Sequence, residues 1–281
     1  MENQLVMDEC YGISYILNRE LKPSVGFNNS LVYDGDSIYE VIRMVNGTPL
    51  FFYDHVERLE NSVRHQKKEM LARIEELRQD ILRLSVPEGY SEANLKIVFN
   101  YNSGRSNYLL YFIRPVYPSQ DQYDNGVKGI LYQAERKDPS SKVINHRLRS
   151  EIFHKLILDG AYEAILVDHN NFITEGSRSN IFFIREGILY TAPENRILSG
   201  ITRKYIFDIC SEHNIQVVSA CVRAAEIYLF DSVFMSGTSP MVLPFSSIDD
   251  KVFNVKLPLL KELRKLYIEK AEESIIRFRS E

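Results

Sequence analysis

The stretch YEAILVDHNNFITEGSRSNIFFIR, residues 162–185, decides the fold of the second half of the chain. Its β-branched and aromatic runs predict strands near Glu163–Asp168, Phe172–Thr174 and Asn180–Arg185. Between the last two lies Thr174-Glu175-Gly176-Ser177-Arg178-Ser179-Asn180, where a carboxylate, small hydroxyls and a glycine coincide with a tight turn. Such a turn can present a carboxylate to a ligand, although the same residue types also make a plain hairpin loop. Downstream, a short strand at Ile188–Thr191 precedes Leu198-Ser199-Gly200-Ile201-Thr202-Arg203. There a glycine stands directly ahead of a helix expected over Thr202–Glu212, an arrangement that serves either as an ordinary cap or as an anion site built from free backbone N–H groups. Met235-Ser236-Gly237-Thr238-Ser239 follows the apolar pair Val233-Phe234 and offers further hydroxyls at a strand end. A strand at Gly129–Gln133, a helix over Val143–Asp159 and a helix over Leu257–Arg279, with Pro258 in its first turn, complete a sheet wrapped by helices.

The first half reads as α+β. Ser37–Val45 and Pro49–Tyr53 are apolar runs separated by Asn46-Gly47, the strongest short hairpin signal. Asp54 then stands where a helix N-cap belongs, and apolar residues from Val56 to Leu84 predict two helices joined near residues 66–70. Val86-Pro87-Glu88-Gly89 breaks the helical pattern, and strands follow at Asn94–Tyr101 and Tyr108–Tyr117. Residues 118–127 are polar and turn-forming, so two α/β domains are expected, over 1–120 and 121–281.

Composition excludes several classes. The chain has 281 residues, 44% hydrophobic and 26% charged, which is globular rather than disordered or fibrous. Its 34 basic and 38 acidic residues give a net charge of -4 with no basic-aromatic tract, so nucleic acid is not an expected partner. No apolar run approaches the roughly 18 residues that span a bilayer, so no membrane is expected. Met1–Cys10 lacks the basic-then-apolar order of a secretory signal, and the expected location is cytoplasmic. Cys10, Cys210 and Cys221 are odd in number and widely spaced, which argues against a disulfide framework or a zinc site. The six histidines form no H-E-x-x-H pair, and G-x-S-x-G, Walker and G-x-G-x-x-G motifs do not occur.

Taken singly, Arg58 reads as a surface partner of Glu57 or Glu60, and Lys142 as one lysine among many. The order and spacing of the signals change this. Tyr33–Ile42, Asp54–Leu59, Lys142–Asn145, Tyr162–Leu166, Thr174–Asn180, Gly200–Arg203 and Phe234–Thr238 together resemble the class IV aminotransferases, the fold-type IV pyridoxal 5'-phosphate (PLP) enzymes. These include branched-chain aminotransferases, D-amino acid aminotransferases and aminodeoxychorismate lyases. The resemblance implies a two-domain α/β enzyme with PLP in the interdomain cleft, working as a homodimer on an amino acid and a 2-keto acid.

Carried residue by residue, Lys142 matches the lysine that binds PLP as a Schiff base and carries the proton, for which a desolvated amine is suited. Glu175 matches the carboxylate facing the pyridine nitrogen, where an anion keeps the ring protonated. Arg58 matches the arginine that clamps the phosphate, Ile201 and Thr202 the helix-start residues whose N–H groups hold it, and Thr238 a hydroxyl donor to it. Tyr39 and Glu40 match positions on the substrate side, and a half-buried strand accounts for them equally well. The chain departs from the family at Asn100-Tyr101-Asn102-Ser103, where many members carry a substrate-carboxylate arginine; Arg105 and Arg114 are the substitutes in sequence. Asn145-His146-Arg147 is closer to the D-amino acid and lyase patterns, while Phe234–Thr238 is branched-chain-like. The expected activity is transamination, of branched-chain or D-amino acid type. The alternatives are a lyase producing 4-aminobenzoate and pyruvate on the same scaffold, and a non-catalytic binding module that keeps the fold.

Overall fold

Asn46 and Gly47 both take positive φ, 48° and 70°, as a two-residue hairpin turn that matches the right-handed strand twist requires. This turn joins the long strand of a computed structural model that describes residues 9–136, 141–143 and 146–281. By contact the chain divides into two units, one comprising Met1–Val116, Ser141–Ile144 and Glu273–Glu281, the other Tyr117–Ser140 and Asn145–Glu272.

The first unit runs β1 (Ser14–Leu17), β2 (Glu20–Pro23), α1 (Ser30–Tyr33), β3 (Asp36–Val45), β4 (Thr48–Pro49), α2 (Phe52–His65), α3 (Ile74–Glu88), β5 (Glu92–Asn102) and β6 (Arg105–Ile113). Its strands form one sheet in the order β2-β1-β6-β5-β3-β4. Side chains alternate across a strand, so Ile38, Ile42, Ile97 and Phe99 pack with Phe52, Val56, Leu59 and Val63 of α2 and Leu77, Ile81 and Leu84 of α3. Tyr39, Val98 and Tyr111 belong to a separate cluster with Tyr15 and Val32.

The second unit runs α4 (Gln120–Asn125), β7 (Val127–Gln133), α5 (His146–Asp159), β8 (Glu163–Val167), β9 (Phe172–Gly176), β10 (Asn180–Arg185), β11 (Ile188–Thr191), α6 (Ile201–Glu212), β12 (Val217–Ser219), β13 (Val222–Arg223), β14 (Ser232–Gly237), β15 (Met241–Ile248), β16 (Lys251–Val252) and α7 (Pro258–Ser280), whose last turns fall in the first unit. Its sheet is ordered β12-β11-β10-β14-β15-β7-β8-β9-β13, with β16 beside β15. One core holds Ile165, Val167, Ile181, Phe183, Met235 and Phe245. A second packs Ile152 and Leu156 of α5 on Ile130, Ala164 and Leu166.

Several local expectations are corrected. The strand expected over Pro49–Tyr53 stops at Pro49, because Phe51 turns left-handed at φ 52° and itself caps α2; Asp54 lies in the first turn, where its charge still complements the helix dipole. Pro87 sits inside α3, and the helix ends one residue later at Glu88, followed by Gly89, whose φ of 60° suits a glycine C-cap. The polar segment 118–127 contains α4, capped by the Ser119 hydroxyl. Ile144 and Asn145 of the lysine motif, and Met1–Asp8, lie outside the described residues. Among the described residues no helix is long and apolar enough to cross a membrane, and no group of three or more acids, histidines or cysteines is arranged to hold a metal.

Candidate active site

The expected site residues form two clusters, one in each unit. In the first unit Val143 bridges Ile38 in antiparallel fashion, and the Tyr39 N–H donates to the Lys142 carbonyl at 3.1 Å. The lysine segment thus lies along the β3 edge, and the Lys142 N–H also reaches the Ser62 hydroxyl of α2 at 3.4 Å. Tyr39 and Glu40, consecutive on a strand, point to opposite sides. Lys142 meets both: its Nζ is 5.3 Å from the Tyr39 ring centroid and 3.8 Å from Glu40 Oε2.

Glu40 is fully buried and is the hub of this cluster. Arg58 grips it with two donors, Nε to Oε1 at 2.8 Å and Nη2 to Oε2 at 2.6 Å, and His55 Nδ1 lies 2.8 Å from Oε2. Burial pushes the Glu40 carboxyl up, but the charges of Arg58 and Lys142 and the hydrogen bonds from Arg58 and His55 outweigh it and hold the group well below the ordinary glutamate range. Burial lowers His55 despite its carboxylate neighbour, so the imidazole is neutral and Nδ1–H is the donor to Glu40.

Arg114 lies over the Tyr11 ring at 5.5 Å, and Arg105 lines a cavity of about 220 Å³ with Asp34, Asn100 and Asn107. Lys96 of β5, only 2% exposed, lies with Nζ 5.3 Å from the Tyr39 ring centroid that Lys142 also faces. Lys96 is ion-paired with Glu9, which also accepts from the Tyr111 hydroxyl at 3.0 Å. Lys96 escaped sequence reading because a lysine inside an apolar strand carries no local mark; the register Val41↔Lys96 places it.

In the second unit Glu175, at 2% exposure, is the penultimate residue of β9. Its Oε1 accepts from Arg136 Nε at 2.8 Å and its Oε2 from the Leu198 N–H at 3.2 Å. Burial raises its proton affinity, and Arg136 and the Leu198 N–H only partly offset this. Asn180 Nδ2 donates to the Leu198 carbonyl at 2.9 Å, tying the turn after Glu175 to the segment that enters α6. Gly200 caps α6 without any side-chain acceptor, and a Cβ there would overlap Asn180 Oδ1. Ile201 and Thr202 are buried at the helix start, with Thr202 Oγ1 3.1 Å from the Tyr267 hydroxyl. Asn180 pairs with Ser236 in the sheet, and Thr238 follows two residues later in the turn between β14 and β15. The Ser236 hydroxyl is buried without a hydrogen-bond partner among the described residues.

Within the first unit, an amine and a guanidinium are of the kinds that an aldehyde and a phosphate take up; within the second, a buried acid, a glycine-led helix N-terminus and a buried hydroxyl are of the kinds that a pyridine nitrogen and a phosphate take up.

Comparison with known proteins accords with this chemistry. The profile of the family described as amino-transferase class IV matches residues 37–248. The chain is 28% identical over 240 residues to the D-alanine aminotransferase of Bacillus licheniformis, spanning 80% of this chain and 83% of that one. Its fold is similar to the branched-chain aminotransferase of the thermophilic archaeon Thermoproteus uzoniensis solved with norvaline, with a TM-score of 0.82, 22% identity and coverage of 95% and 97%. It is also similar in fold to a candidate 4-amino-4-deoxychorismate lyase from Legionella pneumophila, with a TM-score of 0.76, 22% identity and coverage of 85% and 92%. With three quarters of its length inside the matched profile, this chain belongs to the class IV aminotransferase family, a family of PLP enzymes.

Proposed function

We propose that the chain binds PLP and transfers an amino group between an amino acid, of branched-chain or D-amino acid type, and a 2-keto acid. The observation that carries this reading is Lys142, whose amine stands between the Tyr39 ring and the Arg58-bound carboxylate of Glu40. When bound, PLP supplies an aldehyde that links to an amino group and a protonated ring that takes up electron density from the substrate carbon. Lys142 Nζ would take the proton from the substrate Cα and deliver it to C4′, the aldehyde carbon of the cofactor. Glu40 fixes the plane of the Arg58 guanidinium and holds the strand edge along which Lys142 lies. With its Nε–Nη2 edge on Glu40, the guanidinium is held as a fixed positive charge, and we assign the phosphate to Arg58, to the N–H groups of Ile201 and Thr202 and to the Thr238 hydroxyl. Glu175 faces the ring nitrogen.

As family members do, the chain is proposed to act as a homodimer; the exposed Phe153, Ile157 and Leu158 on α5 are apolar surface suited to burial against another copy. The test is the half-reaction. PLP-loaded protein is mixed in turn with L- and D-amino acids and with aminodeoxychorismate, and conversion to pyridoxamine phosphate is followed by absorbance. Conversion by amino acids of one hand is expected, and Lys142→Ala should lose it by on the order of 10³-fold or more. Pyruvate release from aminodeoxychorismate with no amino acid reacting would replace transamination by the lyase reaction.

A further inference from the structure

Glu163 of β8 is 2% exposed, and no sequence signal gave it a role. Among the described residues its hydrogen-bond donors are all neutral: Oε1 accepts from the N–H of Ala164 at 2.9 Å, the N–H of Ser177 at 3.2 Å and the Ser177 hydroxyl at 2.5 Å, while Oε2 accepts from the Ser179 hydroxyl at 2.9 Å. A buried carboxylate met only by neutral donors contributes little to stability compared with an apolar side chain of its size. What it does is geometric. Three of its four donors belong to the turn that begins one peptide after Glu175.

The turn leaves no slack. The Gly176 N–H donates to the Ser179 carbonyl at 2.7 Å, and the Ser177 N–H, shared with Glu163, reaches the Ala164 carbonyl at 2.8 Å. A Cβ on Gly176 would overlap Ser179 Oγ and lie 3.2 Å from Glu163 Cδ, so backbone, hydroxyl and carboxylate are in contact there. Past Ser179, Asn180 holds the Leu198 carbonyl, and the Leu198 N–H returns to Glu175 Oε2. Glu163 is therefore the fixed end of a ring of contacts that runs through Ser177, Ser179, Asn180 and Leu198 back to Glu175, and Gly200 at the start of α6 touches the same Asn180.

We propose that Glu163 is a positioning residue that holds Glu175 and the start of α6 in mutual register, so that ring nitrogen and phosphate of one cofactor are met at once. It rests on the assignment of Glu175 to the ring nitrogen. Glu163 does not touch the cofactor; it acts through the Ser177–Asn180 turn.

The experiment uses the full-length apoprotein reconstituted with PLP labelled with 15N in the ring. Affinity is read by titration, and protonation of the ring nitrogen by its 15N shift. Glu163→Met is expected to weaken PLP binding about tenfold or more, through loss of several hydrogen bonds, and to move the ring 15N signal toward the unprotonated value at saturation. Glu163→Gln, which keeps volume and one acceptor, should fall between it and the wild type. Ser177→Ala with Ser179→Ala leaves Glu163 in place and should reproduce the Met variant, which keeps the test usable if that variant fails to fold. Wild-type affinity and 15N shift in Glu163→Gln and the double serine variant would overturn the proposal, as would a loss of thermal stability with the shift unmoved. Glu175→Ala separates the two ideas: if it retains the wild-type 15N shift, the assignment of Glu175 is wrong whatever Glu163 does.

Discussion

Two buried glutamates, Glu40 and Glu175, have opposite proton affinities although each is at most 2% exposed. Burial raises both; what differs is the company. Glu40 faces Arg58 through two donors, Lys142 at 3.8 Å and the His55 N–H, and is held low. Glu175 has one guanidinium and one backbone N–H, with Glu163 nearby adding repulsion, and is raised. The difference separates two tasks. A permanently ionised acid is a structural anchor for cations, whereas an acid with incomplete compensation gains from a further positive partner, which is what a protonated pyridine brings.

The same substitution at the two positions should therefore give different results. Glu40→Gln leaves Arg58 and Lys142 without their shared anion in a buried setting, and is expected to cost the apoprotein about 3 kcal/mol or more, as breaking one partner of a buried pair does. Urea denaturation at neutral pH measures it. Replacing Arg58 and Glu40 together by Met and Leu should recover part of the loss, because of the two cations only Lys142 then remains without the Glu40 carboxylate. A cost for Glu40→Gln no larger than that for Glu175→Gln would break the comparison.

This contrast was legible only in part from sequence. Asn46-Gly47, the turn over Thr174–Asn180 and the glycine before α6 announce themselves because each is a local backbone requirement written in residue type. Glu175, Arg58 and Lys142 were reachable through motif order. The places of Glu40, Glu163 and Lys96 were not, since each depends on strand register: Glu40 on pointing toward α2, Glu163 on β8 lying beside β9, Lys96 on standing opposite Val41. The left-handed Phe51 that caps α2 hid for the opposite reason, because its conformation runs against its residue type and is set by the hairpin before it.

An intermediate effect is expected where the second cluster has no room. A methyl group at Gly200 would overlap Asn180 Oδ1, so Gly200→Ala must displace the amide that holds Leu198. Because Leu198 also holds Glu175, the change should weaken PLP binding about fivefold to tenfold, the worth of roughly one hydrogen bond, while urea stability of the apoprotein falls by under about 1 kcal/mol. Titration with PLP checks the first and denaturation the second. Unchanged affinity would mean that the Asn180 contact does not govern this end of α6.

The smallest effect is the most discriminating, because it turns on sign. Glu175 binds its proton more tightly folded than unfolded, so its contribution to stability is fully present below the unfolded carboxylate value and is lost as pH rises through the folded one. Glu40, held low, runs the other way: its contribution is present above the unfolded value and is lost as pH falls through the folded one. Glu175→Gln removes the first dependence and keeps one acceptor, for either Arg136 or the Leu198 N–H, so the apoprotein variant should have its best margin relative to wild type at neutral pH, within about 1 kcal/mol either way. That margin should shrink as pH falls toward the ordinary glutamate range, and Glu40→Gln should show the converse, its deficit shrinking only in stronger acid. Urea midpoints at a series of pH values give both curves. Parallel curves for the two variants would mean that the two acids are equivalent, and that the division between an anchoring and a cofactor-facing carboxylate is wrong.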